Sequence, residues 1–158
     1  MPKIKKIVLA FILSLILYSC GYSVLNNSLG NNYKIVDISL SGEKRINYNI
    51  RSKLMFDNSK TNNNLLSLEI NTKKYEVIKN KNIKNEITAY QLTITSIINY
   101  KLIGKVKEDA FSITNTGDYD VSKHRLNTLN NKKKLEKTLT DDIIKKISNK
   151  LNIITNDN

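Results

Sequence analysis

The stretch Ala89-Tyr90-Gln91-Leu92-Thr93-Ile94-Thr95-Ser96-Ile97-Ile98-Asn99-Tyr100-Lys101-Leu102 carries the clearest alternation in the chain. Tyr90, Leu92, Ile94, Ile98, Tyr100 and Leu102 fall on one face, and Gln91, Thr93, Thr95, Asn99 and Lys101 on the other. Successive side chains of a strand point to opposite sides, so this pattern predicts a strand with one buried face. At about 3.3 Å per residue it is roughly 40 Å long. Its even-numbered face has to be covered by another layer, and the flanking sequence supplies one.

Downstream, Gly104 marks a tight reversal, and Phe111, Ile113, Tyr119 and Val121 share the odd phase of a further strand in which Gly117 allows a bend. Upstream, Leu66, Leu68 and Ile70 alternate with Ser67, Glu69 and Asn71; beyond Lys73-Lys74 the apolar phase moves to Tyr75 and Val77, which predicts a bulge. Earlier still, Lys34 to Leu40 alternates, with Ile35, Asp37 and Ser39 against Val36, Ile38 and Leu40, until Ser41-Gly42 breaks the strand. Ile46, Ile50 and Leu54 recur every four residues and predict a helix to about Asp57, with Asn47 or Asn49 near its cap. Asn58 to Asn64 is polar and reads as a loop. At the other end of the chain, Leu135, Leu139, Ile143, Ile147 and Leu151 form a helical stripe widened by Ile144 and Ile154. Asp141 with Lys145 and Asp142 with Lys146 support that helix as i,i+4 pairs, and Thr155 to Asn158 is expected to fray.

The order is therefore β-α-β-β-β-α. The first helix is a crossover, so strands one and two should be parallel in a right-handed unit, and the next two connections are hairpins. Both helices can cover one face of a four-stranded mixed sheet, giving an α/β two-layer sandwich. The single domain is expected over residues 34–154, its core formed by the even face of strand three and the stripe of the last helix.

The start of the chain sets the compartment. Lys3, Lys5 and Lys6 precede an apolar run from Ile7 to Leu17, too short to span a bilayer but right for a signal peptide. Leu17-Tyr18-Ser19-Cys20 has the pattern of a bacterial lipobox, with Leu at −3, Ser at −1 and the chain's only cysteine at +1; Tyr18 is bulky for its position. Residues 1–19 read as the signal peptide, Cys20 as the acylated first residue, and residues 20–33 as a tether rich in Asn, Ser and Gly. An ordinary secretory signal with a chance cysteine is the competing reading. Two or three acyl chains hold a protein firmly, at about 0.8 kcal/mol per buried methylene. Gly21 at +2, in place of the Asp that commonly retains bacterial lipoproteins in the inner membrane, favours the outer membrane of a Gram-negative cell, facing the periplasm. A cysteine used for lipid leaves no thiol for a disulfide, a thiolate metal site or a nucleophile.

Without the signal, 139 residues remain, enough for one domain, and the formal charge falls from +12 to +9. Part of the lysine excess looks like coding bias, since Asn, Lys and Ile all abound. A charge this positive nevertheless favours anionic partners, which in that compartment are anionic lipids, lipopolysaccharide and peptidoglycan. Nucleic acid is excluded by location. The chain has no Trp, 8 Tyr and 3 Phe, so no aromatic platform for bases or sugars stands out.

Catalytic motifs do not emerge from the sequence: there is no G-x-S-x-G, no H-E-x-x-H and no phosphate loop, and no cofactor is implied. His124, the only histidine, lies between Lys123 and Arg125 in an expected loop and reads as a solvated residue. Asp118 and Asp120 beside Tyr119 could bind a cation, but two loop aspartates make a weak metal signal. The chain reads as non-enzymatic, with a lipid-anchored hydrolase as a distant alternative. The basic residues say more once placed on the topology. Each hairpin reverses direction, so Lys79-Asn80-Lys81-Asn82-Ile83-Lys84 and Lys123-His124-Arg125 should meet at one end of the sheet as a cationic tip. Ordinary solvated lysines are the alternative there.

The Cys20-Gly21-Tyr22 start, the element order and Ala89-Tyr90-Gln91-Leu92 opening the long strand resemble the LptE family of lipopolysaccharide-assembly lipoproteins, over nearly all of the mature chain. The resemblance implies a plug within the outer-membrane barrel LptD that helps the barrel fold and binds lipopolysaccharide on its way to the outer leaflet. It also implies lipopolysaccharide contact by basic residues before the third strand and after the fourth, which fall near Lys81 or Lys84 and near Lys123 or Arg125. The alternative is an auxiliary periplasmic lipoprotein of another lipid-transport or barrel-assembly complex.

Overall fold

The computed structural model describes residues 32–56, 64–105 and 107–156. The elements run β1 (Lys34–Gly42), α1 (Lys44–Phe56), β2 (Leu65–Lys81), β3 (Ile87–Leu102), β4 (Lys107–Asp120) and α2 (Arg125–Asn156). The sheet order is β1-β2-β3-β4; β1 is parallel to β2, and the other neighbours are antiparallel. Ile46, Ile50 and Leu54 of α1 and Leu139, Ile143, Ile147 and Leu151 of α2 are buried in one core with Leu66, Leu68 and Ile70 of β2 and Leu92, Ile94, Ile98 and Leu102 of β3. The chain is thus the expected α/β two-layer sandwich, a four-stranded mixed sheet with both helices on one face. Residues 1–19, Cys20 and the greater part of the Asn58–Asn64 loop lie outside the described residues.

Local chemistry modifies several details. β2 pairs with β3 without interruption from Leu66↔Leu102 to Ile78↔Tyr90, so there is no bulge at Lys73-Lys74. The apolar phase shifts for another reason. Thr72, Lys74 and Glu76 take the helix-facing positions, while Tyr75 and Val77, 57% and 56% exposed, stand on the open face. The register shifts fall instead around Asn80 of β2 and between Ile35 and Asp37 of β1, where one extra residue lets Ile35 and Ile38 both turn inward and leaves Val36 exposed. The alternation expected for strand one therefore breaks at Val36.

Neither Asn47 nor Asn49 caps α1. The helix begins at Lys44, and Asn47 lies in its first turn, with its backbone N–H donating to Glu43 O (2.9 Å) and its buried side-chain amide to Ser41 O (2.8 Å). Gly42, at φ +90°, makes the sharp turn from β1 that puts Glu43 at the helix start. Gly117 is a site of close approach more than a bend: a Cβ there would lie 2.7 Å from Leu135 Cδ1, so its lack of a side chain lets α2 settle onto β4. The ends are better ordered than composition suggests. Tyr33 is fully buried, and α2 runs through Asn156 with Thr155 buried, its hydroxyl donating to Leu151 O at 2.9 Å. Tether and fray thus give way at Asn32, Tyr33, Thr155 and Asn156.

The two ends of the sandwich differ. At the entry end, Lys34 pairs with Leu65, Leu66 with Leu102, and Asn32, Asn64 and the last turn of α2 interlock: Asn32 N–H donates to Asn152 Oδ1 (3.1 Å), and Asn64 Nδ2 donates to Asn32 O (2.9 Å). Here the core is aliphatic. Toward the far end, β1 stops opposite Thr72; the aliphatic core continues along β3 and α2 through Leu92, Ile94, Leu139 and the partly buried Leu135, while the helix-facing positions of β2 turn polar. Thr72 and Ser96 share a buried hydroxyl hydrogen bond of 3.1 Å. Lys74 bridges Glu136 (3.2 Å) and Glu43 (3.4 Å), while Glu76 accepts from Lys132 and from the Tyr119 hydroxyl.

Candidate functional site

The far end gathers the two basic segments. β2 and β3 are joined by a hairpin in which Asn85 N–H donates to Asn82 O at 2.9 Å, with Asn85 itself at φ +63°. That is a turn closed by a left-handed residue, a conformation Asn tolerates better than most. Asn82 Oδ1 accepts from the backbone N–H groups of Lys84 (2.9 Å) and Glu86 (3.0 Å), its amide donates to the Glu86 carboxylate (2.8 Å), and Lys81 Nζ donates to Asn85 Oδ1 (3.0 Å). The turn is held by its own polar side chains, and its apex residues are Ile83 and Lys84.

Beside it lies the corner between β4 and α2. Ala89 pairs with Asp120, and Val121 N–H donates to Thr88 O at 2.9 Å, which fixes the corner against the base of the hairpin. Ser122 and Thr128 lock the corner: Ser122 N–H donates to Thr128 Oγ1 (2.9 Å), whose hydroxyl donates back to Ser122 O (3.3 Å). α2 opens on Arg125 with no acidic residue in its first turn. A cation there faces the positive end of the helix dipole, an unfavourable placement of several tenths of a kcal/mol. The charge is not there for the helix.

The topology thus puts Lys81, Lys84, Lys123 and Arg125 at one end of the molecule, although they do not all have the same freedom. Lys81 is tied to Asn85 within the turn. Lys79 is neutralised by Asp118, whose carboxyl is held below its ordinary value first by that hydrogen bond and further by Gln91. Lys84, Lys123 and Arg125 form no salt bridge with another described residue. Behind the tip, burial opposes ionisation of Glu76, but hydrogen bonds from Lys132 and Tyr119 outweigh it and keep the carboxyl below its usual range. Burial likewise opposes charge on Lys74, and Glu136 and Glu43 more than offset it. Burial and the Glu76 carboxylate push the Tyr119 hydroxyl well up, so it stays a donor. Tyr119 also stacks on Tyr90 at 5.5 Å, bracing β4 against the start of β3.

The other candidates of the sequence find different surroundings. His124 is exposed at the corner, and among the described residues no carboxylate accepts from its ring. Asp118 and Asp120 lie on strand β4 and not in a loop, and Asp118 is engaged with Lys79 and Gln91. A shallow depression of about 530 Å³ on the open face, near the entry end, is lined by Ser67, Glu69, Asn99, Lys101, Glu108 and Asp109. Lys101 pairs there with Glu108, the Asn99 amide donates to Glu69, and Asp109 accepts from the backbone N–H of Ala110, so the depression is net acidic and offers no site for an anionic ligand. Among the described residues no helix is long and apolar enough to cross a membrane.

Charge patterning alone missed the apolar residues of the tip. Ile83 is fully exposed at the hairpin apex, and Leu126, next to Arg125, is 74% exposed. The visible signal was a lone Ile among Lys and Asn, a residue type with no turn-forming merit at that position.

No protein-family model and no curated protein matches this sequence. Solved structures do. The solution structure of uncharacterized lipoprotein B from Nitrosomonas europaea superimposes with a TM-score of 0.52 at 10% identity, over 80% of this chain and 88% of that one. The crystal structure of rare lipoprotein B from Shewanella oneidensis gives a TM-score of 0.49 at 16% identity, over 73% and 89% of the two chains. At these identities the likeness to the Nitrosomonas protein establishes a shared fold.

Proposed function

We propose that this chain is a non-enzymatic lipoprotein of the LptE type, anchored through Cys20 in the outer membrane and facing the periplasm. It plugs and supports assembly of an LptD-type barrel and binds lipopolysaccharide as the latter passes to the outer leaflet. The observation that carries the reading is the convergence of two basic segments, distant in sequence, at the end of the sandwich opposite the chain's entry. The lipobox supports the anchor, and the lipoprotein name borne by the Nitrosomonas protein of the same fold is in keeping with it.

Lipid A phosphates are dense negative charges, and each Lys or Arg near an anionic lipid surface contributes about 1 kcal/mol, attenuated by salt. The tip competes with the divalent cations that bridge those phosphates. Changing Lys81, Lys84, Lys123 and Arg125 together to Ser is expected to weaken lipopolysaccharide binding roughly tenfold or more at low ionic strength. Lys133, Lys137, Lys145 and Lys150, exposed along α2, make a charge-matched control. Lys146 is unsuitable, because it donates to the buried Asn115. Equal losses in the two quadruple variants would reduce the effect to bulk charge. Affinity purification of the intact lipoprotein should recover one large barrel; recovery of another transport or barrel-assembly complex would favour the auxiliary role.

A further inference from the structure

We infer that the far end is amphipathic, and that Ile83, seconded by Leu126, enters the acyl region of a phosphate-bearing lipid while Lys84, Lys123 and Arg125 hold its headgroup. The inference rests on the proposed lipid contact of the tip and names the chemistry that charge alone leaves out. Three observations carry it. Ile83 is fully exposed at the apex of a turn whose hydrogen bonds are made by Asn82, Asn85 and Glu86, so its side chain serves no fold purpose there. The turn is locked, so it presents Ile83 in a fixed place; a pre-ordered contact loses little conformational entropy on binding. Each apolar residue is adjacent in sequence to a cation that forms no salt bridge with another described residue, Ile83 to Lys84 and Leu126 to Arg125.

This pairing fits the boundary between headgroup and hydrocarbon. Apolar side chains gain from leaving water there, and Lys and Arg reach phosphates with their stems along the same surface. A soluble acidic protein would match the cations but would need a dedicated apolar pocket for Ile83, whereas a lipid layer offers hydrocarbon beside its phosphates without one. A lipid matches both. The end is also well placed to meet a lipid other than the one near the chain's own anchor. β2, of 17 residues, holds it about 50 Å from the entry end.

The chain has no tryptophan, so Ile83→Trp places a single fluorescent reporter at the apex. The full lipidated chain is held by its own anchor in nanodiscs of unlabelled phosphatidylcholine. It is then titrated with separate vesicles of brominated phosphatidylcholine doped with lipid A. The expected result is blue-shifted, quenched emission from the apex indole, abolished by high salt. A Phe56→Trp reporter, at an exposed position of α1, should show no quenching. Ile83→Ser, assayed by co-sedimentation, should weaken association about tenfold at unchanged salt dependence. Lys84→Ser should instead flatten the salt dependence. Association with the apex indole unquenched would overturn the apolar insertion and leave the charge contact standing. No association at all would overturn both.

Discussion

Gly42→Ala and Gly104→Ala form a matched pair, because the two glycines share a backbone conformation and differ in their surroundings. Gly42 has φ +90° and Gly104 φ +88°, so an added Cβ meets the same left-handed strain at each, about 1 kcal/mol. Around Gly104 nothing lies within 4 Å of that Cβ. At Gly42 it would fall 2.0 Å from the backbone oxygen of Thr72, against a normal approach of about 3.3 Å. Thr72 cannot retreat easily: it pairs with Gly42 on one side and Ser96 on the other, and its carbonyl accepts the Glu43 N–H at 3.0 Å. Relief must break that hydrogen bond, about 1 kcal/mol net, and tilt the start of α1, which disturbs the seating of Ile46 and Ile50. We expect a loss of about 3–4 kcal/mol for Gly42→Ala and about 1 kcal/mol for Gly104→Ala. In midpoint temperature that is roughly 10–15 °C against roughly 3–5 °C for a domain of this size. Urea unfolding followed by far-ultraviolet circular dichroism, on the chain expressed without its signal and lipid, reads both. Equal losses would refute the close approach as the reason for a glycine at position 42.

Cys20→Ser should abolish metabolic labelling by fatty acid and release the protein from the membrane fraction of cells lacking the proposed LptD-type barrel; retained labelling would exclude Cys20 as the acceptor. Ile147→Asp, at a fully buried position of α2, should prevent cooperative folding, whereas Ile153→Asp on the exposed side should shift stability by no more than about 0.5 kcal/mol; similar behaviour of the two would mean the helix faces are reversed. Glu76 has a folded value below its ordinary 4.5, so its contribution is present above that pH and is lost as pH falls through the folded value. Lys74 and Tyr119 are raised, so theirs are present below 10.5 and 10.0 and are lost as pH rises through the folded values. Amide protection in the first half of α2, taken relative to the intrinsic exchange rate at each pH, should therefore fall at both extremes, with Glu76→Gln removing the acid limb; an unchanged acid limb would show that this interface does not depend on Glu76.

What could be read from the sequence follows from which forces act locally. The alternation from Tyr90 to Leu102 and the four-residue stripe from Leu135 to Leu151 each encode a buried face directly, and with the crossover and hairpin rules they determine the architecture. Tyr75 and Val77 misled because a two-residue period reports which side chains are apolar, not which face is covered. On that half of β2 the covered face is occupied by Thr72, Lys74 and Glu76, satisfied by partners from other elements. Such long-range pairing leaves no trace in local periodicity. Gly117 is similar, since its reason is Leu135, across the layer on α2. At the tip, topology alone predicted the meeting of the two basic segments. The neutralisation of Lys79 by Asp118 and the use of Lys81 inside the turn depend on side-chain reach, which the sequence does not specify.

The change from aliphatic to polar residues along the helix-facing side of β2 follows from the width of the sandwich. Near the entry end, four strands and two helices enclose enough volume for a conventional core. Beyond Thr72, β1 has ended, and β2, β3 and β4 continue with α2 for cover. α2, with 32 residues, spans about 48 Å, close to the length of β2, so it shields the narrow half along its whole run. Leu92, Ile94 and Leu139 keep that half apolar along β3 and α2, while β2, now the edge strand of the sheet, gains less from burying aliphatic side chains there. Charged and hydroxyl groups with fixed partners hold α2 on the sheet without needing that thickness. The narrow end can thereby carry exposed cations and an exposed Ile83 without drawing on the core for stability. Substitutions at the apex, at Ile83 or Lys84, should consequently alter lipid contact while leaving the unfolding midpoint near that of the parent chain. A midpoint shift of more than a few degrees in either variant would show that the tip is part of the fold.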